Sequence, residues 1–375
     1  MLTFLLAVGT TCGQGTVVVW GANILQMAPP PGLTNIVAVS AGGNHILALN
    51  ADGTAVAWGG NYAGQTNPPP VDVPTNGQPV ATLVAISAGG MHNLALRSNG
   101  TVLAWGDSFY GQTAVPAGLD DAIAISAGSL HSLALRSNGT VVAWGQYGGI
   151  SAVRQAGVPA GLTNVRATAA GESHDVALLT DGHVVAWGDN TLGQTNVPAG
   201  LSDVVAIAAG MWHSLALRRD GTVVTWGSLC CGLSNIPPNV TNIVAIAAGG
   251  EPNMALQGDG TVVAWGQYNM MTDVFVPDGL GHVSAVGASL WYNLALIPNE
   301  FTWQPLEYVP STFSVSNGFC LRVWSLVDHG VVVEASSNLV DWEPIFTNPA
   351  GGGLKAYVDP IGPGRPSRFY RAWVQ

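Results

Sequence analysis

Five histidines that recur in one sequence context are the residues of this chain best suited to chemistry. They are His45, His92, His131, His174 and His213. A zinc ion needs its ligand atoms about 2 Å away, whereas equivalent positions of neighbouring packed sheets lie about 10 Å apart. We therefore predict no metal site, and instead a structural role in which each imidazole hydrogen-bonds backbone between repeats. Two further copies of the motif have Pro252 and Tyr292 in place of the histidine.

Other patterns of catalytic residues do not stand out. We find no nucleophile elbow, paired-histidine metalloprotease motif, phosphate-binding loop or carboxylate pair placed for acid-base chemistry. Cys230 and Cys231 are adjacent, which leaves open a vicinal disulfide or a free surface pair. We expect no enzyme activity and no cofactor.

Two motifs recur in step along the chain and define the elements that position these residues. The first is Trp-Gly, at Trp20, Trp58, Trp105, Trp144, Trp187, Trp226 and Trp265. The second, typified by AGGMHNLAL, begins at Ala41, Ala88, Ala127, Ala170, Ala209, Ala248 and Ala288. Seven copies of each predict seven structural units of about 40 residues.

Each unit has the pattern of a small antiparallel sheet. Residues 83–116 predict strand, loop, strand, tight turn, strand, loop and short strand, which is a four-stranded meander. The tight turns, such as Asn99-Gly100, have the residue pairs typical of two-residue type I′ hairpins. Because such a sheet cannot bury both faces alone, we expect radial stacking of the units. The last unit stops near Pro298, and the opening strand at residues 15–21 supplies its missing third strand. The predicted fold class is all-β, a seven-bladed β-propeller at 14–298 closed by the N-terminal strand.

The order of connections assigns the loops to two rims. Loops after the first and third strands share one rim, here called the upper rim; the tight turns and the PAGL connectors form the lower rim. Variable upper-rim positions hold aromatic and other apolar residues, which are typical interface anchors. The predicted partner-binding residues are Tyr62, Met91, Phe109, Tyr110, Leu130, Tyr147, Trp212, Tyr268, Trp291 and Tyr292. The alternative is that these side chains plug the mouth of the central channel.

Charge narrows the range of partners. The chain has 11 basic and 22 acidic residues, and Lys355 is its sole lysine. Such a balance cannot neutralise a run of phosphates, so we expect no nucleic-acid partner. Asp107, Glu172, Asp189 and Glu251 lie in upper-rim loops, whereas Arg97, Arg136, Arg218 and Arg219 precede lower-rim turns. No internal segment has the roughly 18 apolar residues of a membrane span, and we expect a monomer.

The two ends of the chain differ from the repeats. Residues 2–8 are apolar and small residues follow them, which is typical of the end of a secretory signal. We predict a truncated signal peptide at 1–13; a short buried first strand is the alternative. A Pro-containing linker at 299–312 precedes four segments of strand pattern, which predict a small β-sandwich at 313–375.

The repeats resemble a known family. The AG-x-x-H-x-x-AL and GTVVAWG signatures resemble the regulator-of-chromosome-condensation repeat over 14–298. WGDNTLGQTNVPAGL, from Trp187, is similar to the secreted bacterial branch, which includes a streptomycete β-lactamase inhibitor propeller. The resemblance implies a seven-bladed fold that binds through one rim, and it matches the bulky aromatics of that branch to Trp212, Trp291, Tyr292, Phe109 and Tyr110. The motifs EASSNLVDWEPI and RFYRAWV resemble terminal modules of secreted proteins of Verrucomicrobia and Planctomycetes.

These features together predict a secreted or cell-surface protein without enzyme activity. We expect it to bind an extracellular protein, as an inhibitor of an enzyme or as an adaptor for one. A glycan-binding cell-surface protein is the alternative, because exposed Trp and Tyr also stack on sugars.

Overall fold

The computed structural model describes most of residues 15–298, and every regular element it describes is a β-strand. The gaps are 22–26, 32, 34, 71–80, 149–153, 156, 229–231, 234, 239, 251, 269–271 and 274; outside this range the model describes strands at 7–9, 319–325, 331–336, 343–348, 353–359 and 369–374. The chain divides into two compact units, Gly15–Ile297 and a second unit made of Met1–Gln14 with Pro298–Gln375.

The strands are, in chain order, β1 (Ala7–Gly9), β2 (Gly15–Gly21), β3 (Ile36–Ala41), β4 (His45–Asn50), β5 (Ala55–Gly59), β6 (Leu83–Ala88), β7 (His92–Arg97), β8 (Val102–Gly106), β9 (Ala122–Ala127), β10 (His131–Arg136), β11 (Val141–Tyr147), β12 (Arg154–Gln155), β13 (Val165–Ala170), β14 (His174–Leu179), β15 (Val184–Gly188), β16 (Val204–Ala209), β17 (His213–Arg218), β18 (Val223–Gly227), β19 (Ile243–Ala248), β20 (Asn253–Gln257), β21 (Val262–Trp265), β22 (Gln267–Tyr268), β23 (Thr272–Asp273), β24 (Ala285–Ala288), β25 (Tyr292–Pro298), β26 (Phe319–Ser325), β27 (Val331–Ser336), β28 (Glu343–Asn348), β29 (Gly353–Asp359) and β30 (Phe369–Val374).

The Gly15–Ile297 unit is a seven-bladed propeller, which confirms the predicted fold class. Blades 1 to 6 are β3–β5, β6–β8, β9–β12, β13–β15, β16–β18 and β19–β21. Blade 7 consists of β24, β25 and β2, in which β2 pairs with the middle strand β25. The opening strand of the chain therefore completes the last blade, as the sequence predicts. Closure of this kind leaves no open sheet edge at either end of the ring.

The predicted fourth strand is wrong in most blades. Among the described residues, blade 3 has the two-residue strand β12, and after blade 6 the two-residue strand β23 pairs with β22 in a separate small sheet. In blade 2 the equivalent segment forms local turns instead, in which the Ala114 amide donates to the Gly111 carbonyl and the Val115 amide to the Thr113 carbonyl. Pro116 ends the segment and has no amide hydrogen for a ladder. Turn bonds and proline thus replace the outer strand.

The predicted type I′ geometry of the tight turns is also wrong. Within each Asn-Gly or Asp-Gly pair, glycine alone has a positive φ, for example +84° at Gly100. The Gly100 amide donates to the Arg97 carbonyl, which is a type I turn followed by a left-handed glycine. The Asn99 side chain accepts from both the amide and the hydroxyl of Thr101, at 3.1 and 2.7 Å. Because that side chain caps the turn, the asparagine itself does not need a positive φ.

The repeated tryptophans hold the blades together. Trp144 of blade 3 packs against Leu94 and Leu96, on the middle strand of blade 2. Trp20 of blade 7 packs in the same way against Met254 and Leu256 of blade 6. Each such contact removes a large apolar surface from water, which is the main stabilising contribution available to small stacked sheets. The fixed position of Trp in the repeat therefore sets the stacking of neighbouring blades.

The second unit contains two three-stranded antiparallel sheets, with strand orders β1-β26-β29 and β28-β27-β30. Strands form in all four segments predicted at the C-terminus. Part of the proposed leader contributes here, because Ala7 pairs with Arg322 and Gly9 with Cys320. Residues 7–9 thus form a strand in this structure, while their burial lies outside the described features and the removal of 1–13 as a signal peptide stays a prediction.

Candidate functional site

A belt of backbone hydrogen bonds links the upper-rim loops around the propeller axis. In the inner loops of blades 1 to 6 an amide donates to a carbonyl of the next blade. The bonds are Gly43 to Gly89 at 3.0 Å, Gly90 to Gly128 at 3.1 Å, Ser129 to Gly171 at 3.3 Å, Glu172 to Gly210 at 3.2 Å, Met211 to Gly249 at 3.0 Å and Gly250 to Ser289 at 3.1 Å. Peptide groups that would otherwise lie unpaired at a blade junction are satisfied in this way.

The five histidines join the same junctions through their side chains. The imidazole Nε2 atoms of His45, His92, His131, His174 and His213 lie 2.6–2.9 Å from Asn93, Ser132, Asp175, Ser214 and Asn253 of the next blade. The sequence prediction of a structural role between blades is correct, but the acceptor is a side chain rather than backbone. That side chain belongs to the residue directly after the next histidine position.

The hydrogen bonds fix the protonation of the rings. The Ser132 hydroxyl donates a hydrogen bond to the Gln112 carbonyl, and the Ser214 hydroxyl donates one to the Gln194 carbonyl. Each serine must therefore accept the hydrogen bond that it shares with its histidine. His92 and His174 are therefore neutral rings that are protonated on Nε2. Burial lowers the pKa of His92 to about 3 and that of His174 to about 4.

Glycine is required where these rings pack. A Cβ added at Gly89 would lie 2.7 Å from the Nδ1 atom of His92 and 2.5 Å from the Gly128 carbonyl oxygen. No heavy atom can occupy that space without displacing the belt. The recurring spacing of glycine and histidine along this chain thus follows from packing at the junction.

The junction that closes the ring uses a tyrosine. Tyr292 stands at the histidine position of blade 7, and its hydroxyl donates to carbonyl oxygens of blade 1, at 3.0 Å for Gly42 and 2.5 Å for His45. Ser289 adds a bond of 2.7 Å to Gly42. The Tyr292 side chain is 1% exposed, and burial raises its pKa. Its predicted role in partner binding is therefore wrong, because the ring and hydroxyl are enclosed between blades.

Replacing Tyr292 with phenylalanine tests this closure. The ring would remain packed while the carbonyl oxygens of Gly42 and His45 lose a donor, so we expect the free energy of unfolding to fall by about 1–2 kcal/mol. Urea unfolding followed by tryptophan fluorescence measures the change, and Tyr62→Phe at an exposed position is the matched control. A loss no larger than in that control would contradict the closing role of the hydroxyl.

A buried charged network lies between blades 3 and 4. Asp175 occupies the position that is Ser or Asn in blades 2, 3, 5, 6 and 7. One carboxylate oxygen accepts from His131 at 2.8 Å, and the other accepts from the Tyr147 hydroxyl. Burial, followed by the charge of Asp175, raises the pKa of Tyr147. The predicted partner-binding role of Tyr147 is wrong for the same reason as at Tyr292, because its side chain is buried.

The outer loops of the upper rim are braced from within. In blade 2 the buried Gln112 side chain donates to Asp107 at 2.9 Å and accepts from the Tyr110 amide at 2.9 Å, while Asp107 accepts from the Phe109 amide. In blade 4 Gln194 makes the equivalent bonds to Asp189 and to the Leu192 amide. Each loop is therefore held in one shape, with an apolar side chain at its tip. These glutamines were not predicted as functional residues, although their recurrence in a Gly-Gln pair was a signal for them.

Four apolar residues in the described upper-rim loops are exposed, three of them at outer-loop tips and Met91 in the inner loop of blade 2. Phe109 is 83% exposed, Tyr62 77%, Met91 44% and Leu192 40%. The amide of Asp107 donates to the Met91 carbonyl at 2.9 Å, so the inner and outer loops of blade 2 are adjacent. Apolar area of this size, left open on braced loops, is typical of a binding surface.

The other predicted anchors are less open. Tyr110, Leu130, Trp212 and Trp291 are half-buried. Trp291 also packs against the core cluster of blades 1 and 7, so its replacement would disturb folding as well as the surface. The side chain of Tyr268 lies outside the described residues, as do Cys230, Cys231 and Glu251.

Carboxylates lie beside the exposed tips. Asp107 and Asp189 brace the outer loops of blades 2 and 4, and Glu172 lies in the inner loop of blade 4. Burial and the nearby charge of Asp189 raise the pKa of Glu172.

Among the described residues no group of three or more His, Cys, Asp or Glu is arranged to hold a metal ion. The part of the chain that the structure describes also has no helix long and apolar enough to cross a membrane.

The geometry defines a class of protein: a closed propeller of seven small blades whose junctions are sealed by histidine and glycine, with braced apolar loops on one rim. Five segments match the family model of the regulator of chromosome condensation (RCC1) repeat, at residues 36–65, 83–112, 122–146, 165–194 and 204–233. No curated protein matches the sequence.

Solved structures show the same fold. Yeast RCC1 (Prp20) bound to Kap60 is similar with a TM-score of 0.61 and 22% identity, over 80% of this chain and 91% of that chain. Prp20p from Saccharomyces cerevisiae, studied for its binding to Gsp1p and histones, gives 0.59 and 21%, over 78% and 94%. Human WBSCR16 gives 0.58 and 18%, over 76% and 98%. Together with the repeat matches, these likenesses support a propeller built of RCC1 repeats.

Proposed function

We propose that this chain is a secreted, non-enzymatic propeller that binds a protein partner through its upper rim, as an inhibitor of an extracellular enzyme or as an adaptor for one. The observation on which the proposal depends is the exposure of Tyr62, Met91, Phe109 and Leu192 on loops that buried hydrogen bonds hold in place. Rigid apolar anchors bind with little loss of conformational entropy. Export is supported by the signal-like pattern of residues 2–8.

Protein binding also agrees with the structural neighbours. Yeast Prp20 binds Kap60, and Prp20p has been characterised for binding to Gsp1p and histones. Their identity to this chain, 22% and 21%, supports a shared fold and not a shared partner.

Partner capture by rim variants tests the proposal. We expect the double variant Met91→Ala/Phe109→Ala to lose at least about tenfold in affinity for the native partner, because the two side chains are exposed apolar anchors in adjacent loops. Immobilised full-length protein would capture the partner from the extracellular fraction of the source culture, and titration of the purified partner would give the affinity.

The matched control is Phe275→Ala, which removes an exposed aromatic outside the upper-rim loops. Both variants should unfold at the same urea concentration as the unmodified chain, because none of the three side chains is buried. Equal capture by the double variant and the control would contradict binding through this rim.

A glycan ligand is the second candidate. Tyr62 and Phe109 offer open aromatic faces, and Phe109 is further supported by a T-shaped contact with Tyr110 at 4.8 Å between ring centroids. A glycan array probed with the full chain separates the two functions. Glycan binding that is lost in Phe109→Ala, without protein capture, would favour this candidate over the first.

A further inference from the structure

Charge on the upper rim is one-sided where the apolar tips are exposed. Asp107 lies beside Met91 and Phe109 in blade 2, and Asp189 lies beside Leu192 in blade 4. The described upper-rim loops contain no Lys or Arg side chain. Arg154 is the one basic residue in these loops of the sequence, and its side chain lies outside the described residues. Apolar anchors and negative charge therefore occupy the same surface.

The basic groups of the propeller lie elsewhere. Arg136 pairs with Asp121 at 2.6 Å, next to a lower-rim turn. Arg218 donates to the Ser202 carbonyl at 3.1 Å, also next to a lower-rim turn. Each arginine is the last residue of a middle strand, and that strand ends at the lower rim. Neither arginine can therefore neutralise the charge of the upper rim. The two rims thus differ in charge as well as in exposure.

The charge is concentrated in blade 4, where Glu172 lies in the inner loop and Asp189 in the outer loop. The inner and outer loops of blade 4 are adjacent, because the Asp189 amide donates to the Ser173 carbonyl at 2.8 Å. Burial, followed by the charge of Asp189, raises the pKa of Glu172. Two neighbouring carboxylates that are partly removed from water repel each other, and a cation placed between them relieves both. Leu130 is adjacent, because a side chain at Gly148 would lie 3.2 Å from Leu130 and 3.7 Å from Ser173.

We propose that the upper rim of blades 2 to 4 docks a cationic protein segment, in which Arg or Lys residues flank an apolar side chain. An apolar side chain of the segment packs on Met91 and Phe109 in blade 2, and a basic group lies beside Glu172 and Asp189 in blade 4. This inference rests on the proposed function and adds the chemistry of the partner. It follows from charge complementarity, which sets partner choice and association rate more than it sets affinity.

Three synthetic dodecapeptides test the inference. All three share one Trp and the same Leu positions. The remaining positions are all Arg in the first peptide, all Gln in the second and all Glu in the third. Fluorescence polarisation with full-length protein measures binding at about 50 mM and about 500 mM NaCl, conditions that differ strongly in screening. We expect the Arg peptide to bind at least about tenfold more tightly than the Gln peptide at low salt, and the Glu peptide not to bind.

Variants locate the cationic position. Glu172→Gln and Asp189→Asn keep the size of each side chain. Each should lower the affinity for the Arg peptide by about three- to tenfold and change the affinity for the Gln peptide little. The matched control is Asp220→Asn on the lower rim, which should leave every affinity unchanged. Circular dichroism and the urea midpoint would confirm that each variant is folded.

The outcomes separate this inference from the proposed function. Equal affinity for all three peptides, or no effect of Glu172→Gln and Asp189→Asn, would overturn the cationic partner. If Met91→Ala/Phe109→Ala still reduced capture of the native partner, the rim would remain the binding surface. If every rim variant kept its affinity for the peptides and for the native partner, both the cationic partner and the binding role of the upper rim would be refuted.

Discussion

Asp175→Ala is expected to lower the free energy of unfolding by about 3–5 kcal/mol. The substitution removes the acceptor of two buried donors, the Nε2 of His131 and the hydroxyl of Tyr147. Both groups are buried between blades, so water cannot replace the lost bonds. A buried donor without a partner costs more than the net gain of an ordinary hydrogen bond. Urea unfolding at pH 7, followed by tryptophan fluorescence and far-ultraviolet circular dichroism, measures the loss.

The matched variant is Asp175→Asn. Asparagine occupies the equivalent position in blade 2, where Asn93 accepts from His45 at 2.8 Å. We therefore expect the amide oxygen to keep the bond from His131, and the unfolding free energy to stay within about 1 kcal/mol of the unmodified chain. If asparagine cost as much as alanine, the charge of Asp175 rather than its acceptor role would hold the junction. A cost below about 1 kcal/mol for alanine would show that the network contributes little.

The propeller was predictable from sequence because its signals are repeated. Each Trp-Gly and each histidine motif is weak alone, but seven aligned copies set the number of blades and the pairing of β2 with β25. Details that depend on one hydrogen bond were not predictable. The sequence of residues 113–116 is compatible with a strand, and the turn bonds at Gly111 and Thr113 decide against it. The pair Asn99-Gly100 fits two turn types, and the capping of Thr101 by Asn99 selects one.

The rim was predicted in outline, and the errors have a common cause. Residue type alone does not separate an exposed tyrosine from one that seals a junction. Tyr62 is open, whereas Tyr147 and Tyr292 are enclosed. Position in the repeat did contain the information for Tyr292, because it stands where the other blades have a buried histidine. The burial of Tyr147 was not predictable from its own position, because its hydroxyl donates to Asp175, which lies far along the chain in a neighbouring blade.

The same arrangement separates stability from recognition. Histidines, glycines and the residues after each histidine lie buried at the junctions, where any change disturbs two blades. The outer loops are braced through backbone amides: Asp107 accepts from the amide of Phe109, and Gln194 accepts from the amide of Leu192. The brace therefore does not depend on which side chain stands at the tip. The tips can therefore vary between blades without loss of the fold, which is the property a binding rim needs.

Acidification is expected to destabilise the propeller between pH 6.5 and about 4. Burial lowers the pKa of His92 to about 3 and those of His174 and His213 to about 4, from 6.5, and it also lowers the pKa of His45. In this window the unfolded chain binds protons that the folded chain does not. The contribution of these histidines to the free energy of unfolding is therefore complete above pH 6.5 and is lost as the pH drops. For a single histidine whose pKa moves from 6.5 to 4, the loss at pH 4 is roughly 3 kcal/mol.

Urea midpoints at pH 7.5, 6, 5 and 4 would measure this dependence on the full chain, and the slope against pH counts the protons taken up on unfolding. His213→Gln should reduce the slope by close to one proton, because it removes one buried imidazole beside Asn253. The depressed carboxylate pKa values at Asp52, Asp220 and Asp259 act only below the 3.8 of a free aspartate, so they do not overlap the window. A second proton would go on the buried Nδ1 atom, which has no hydrogen-bond partner, and would place an uncompensated charge between two blades. A midpoint that stays constant from pH 7.5 to 5 would therefore contradict the burial of neutral histidines at the junctions.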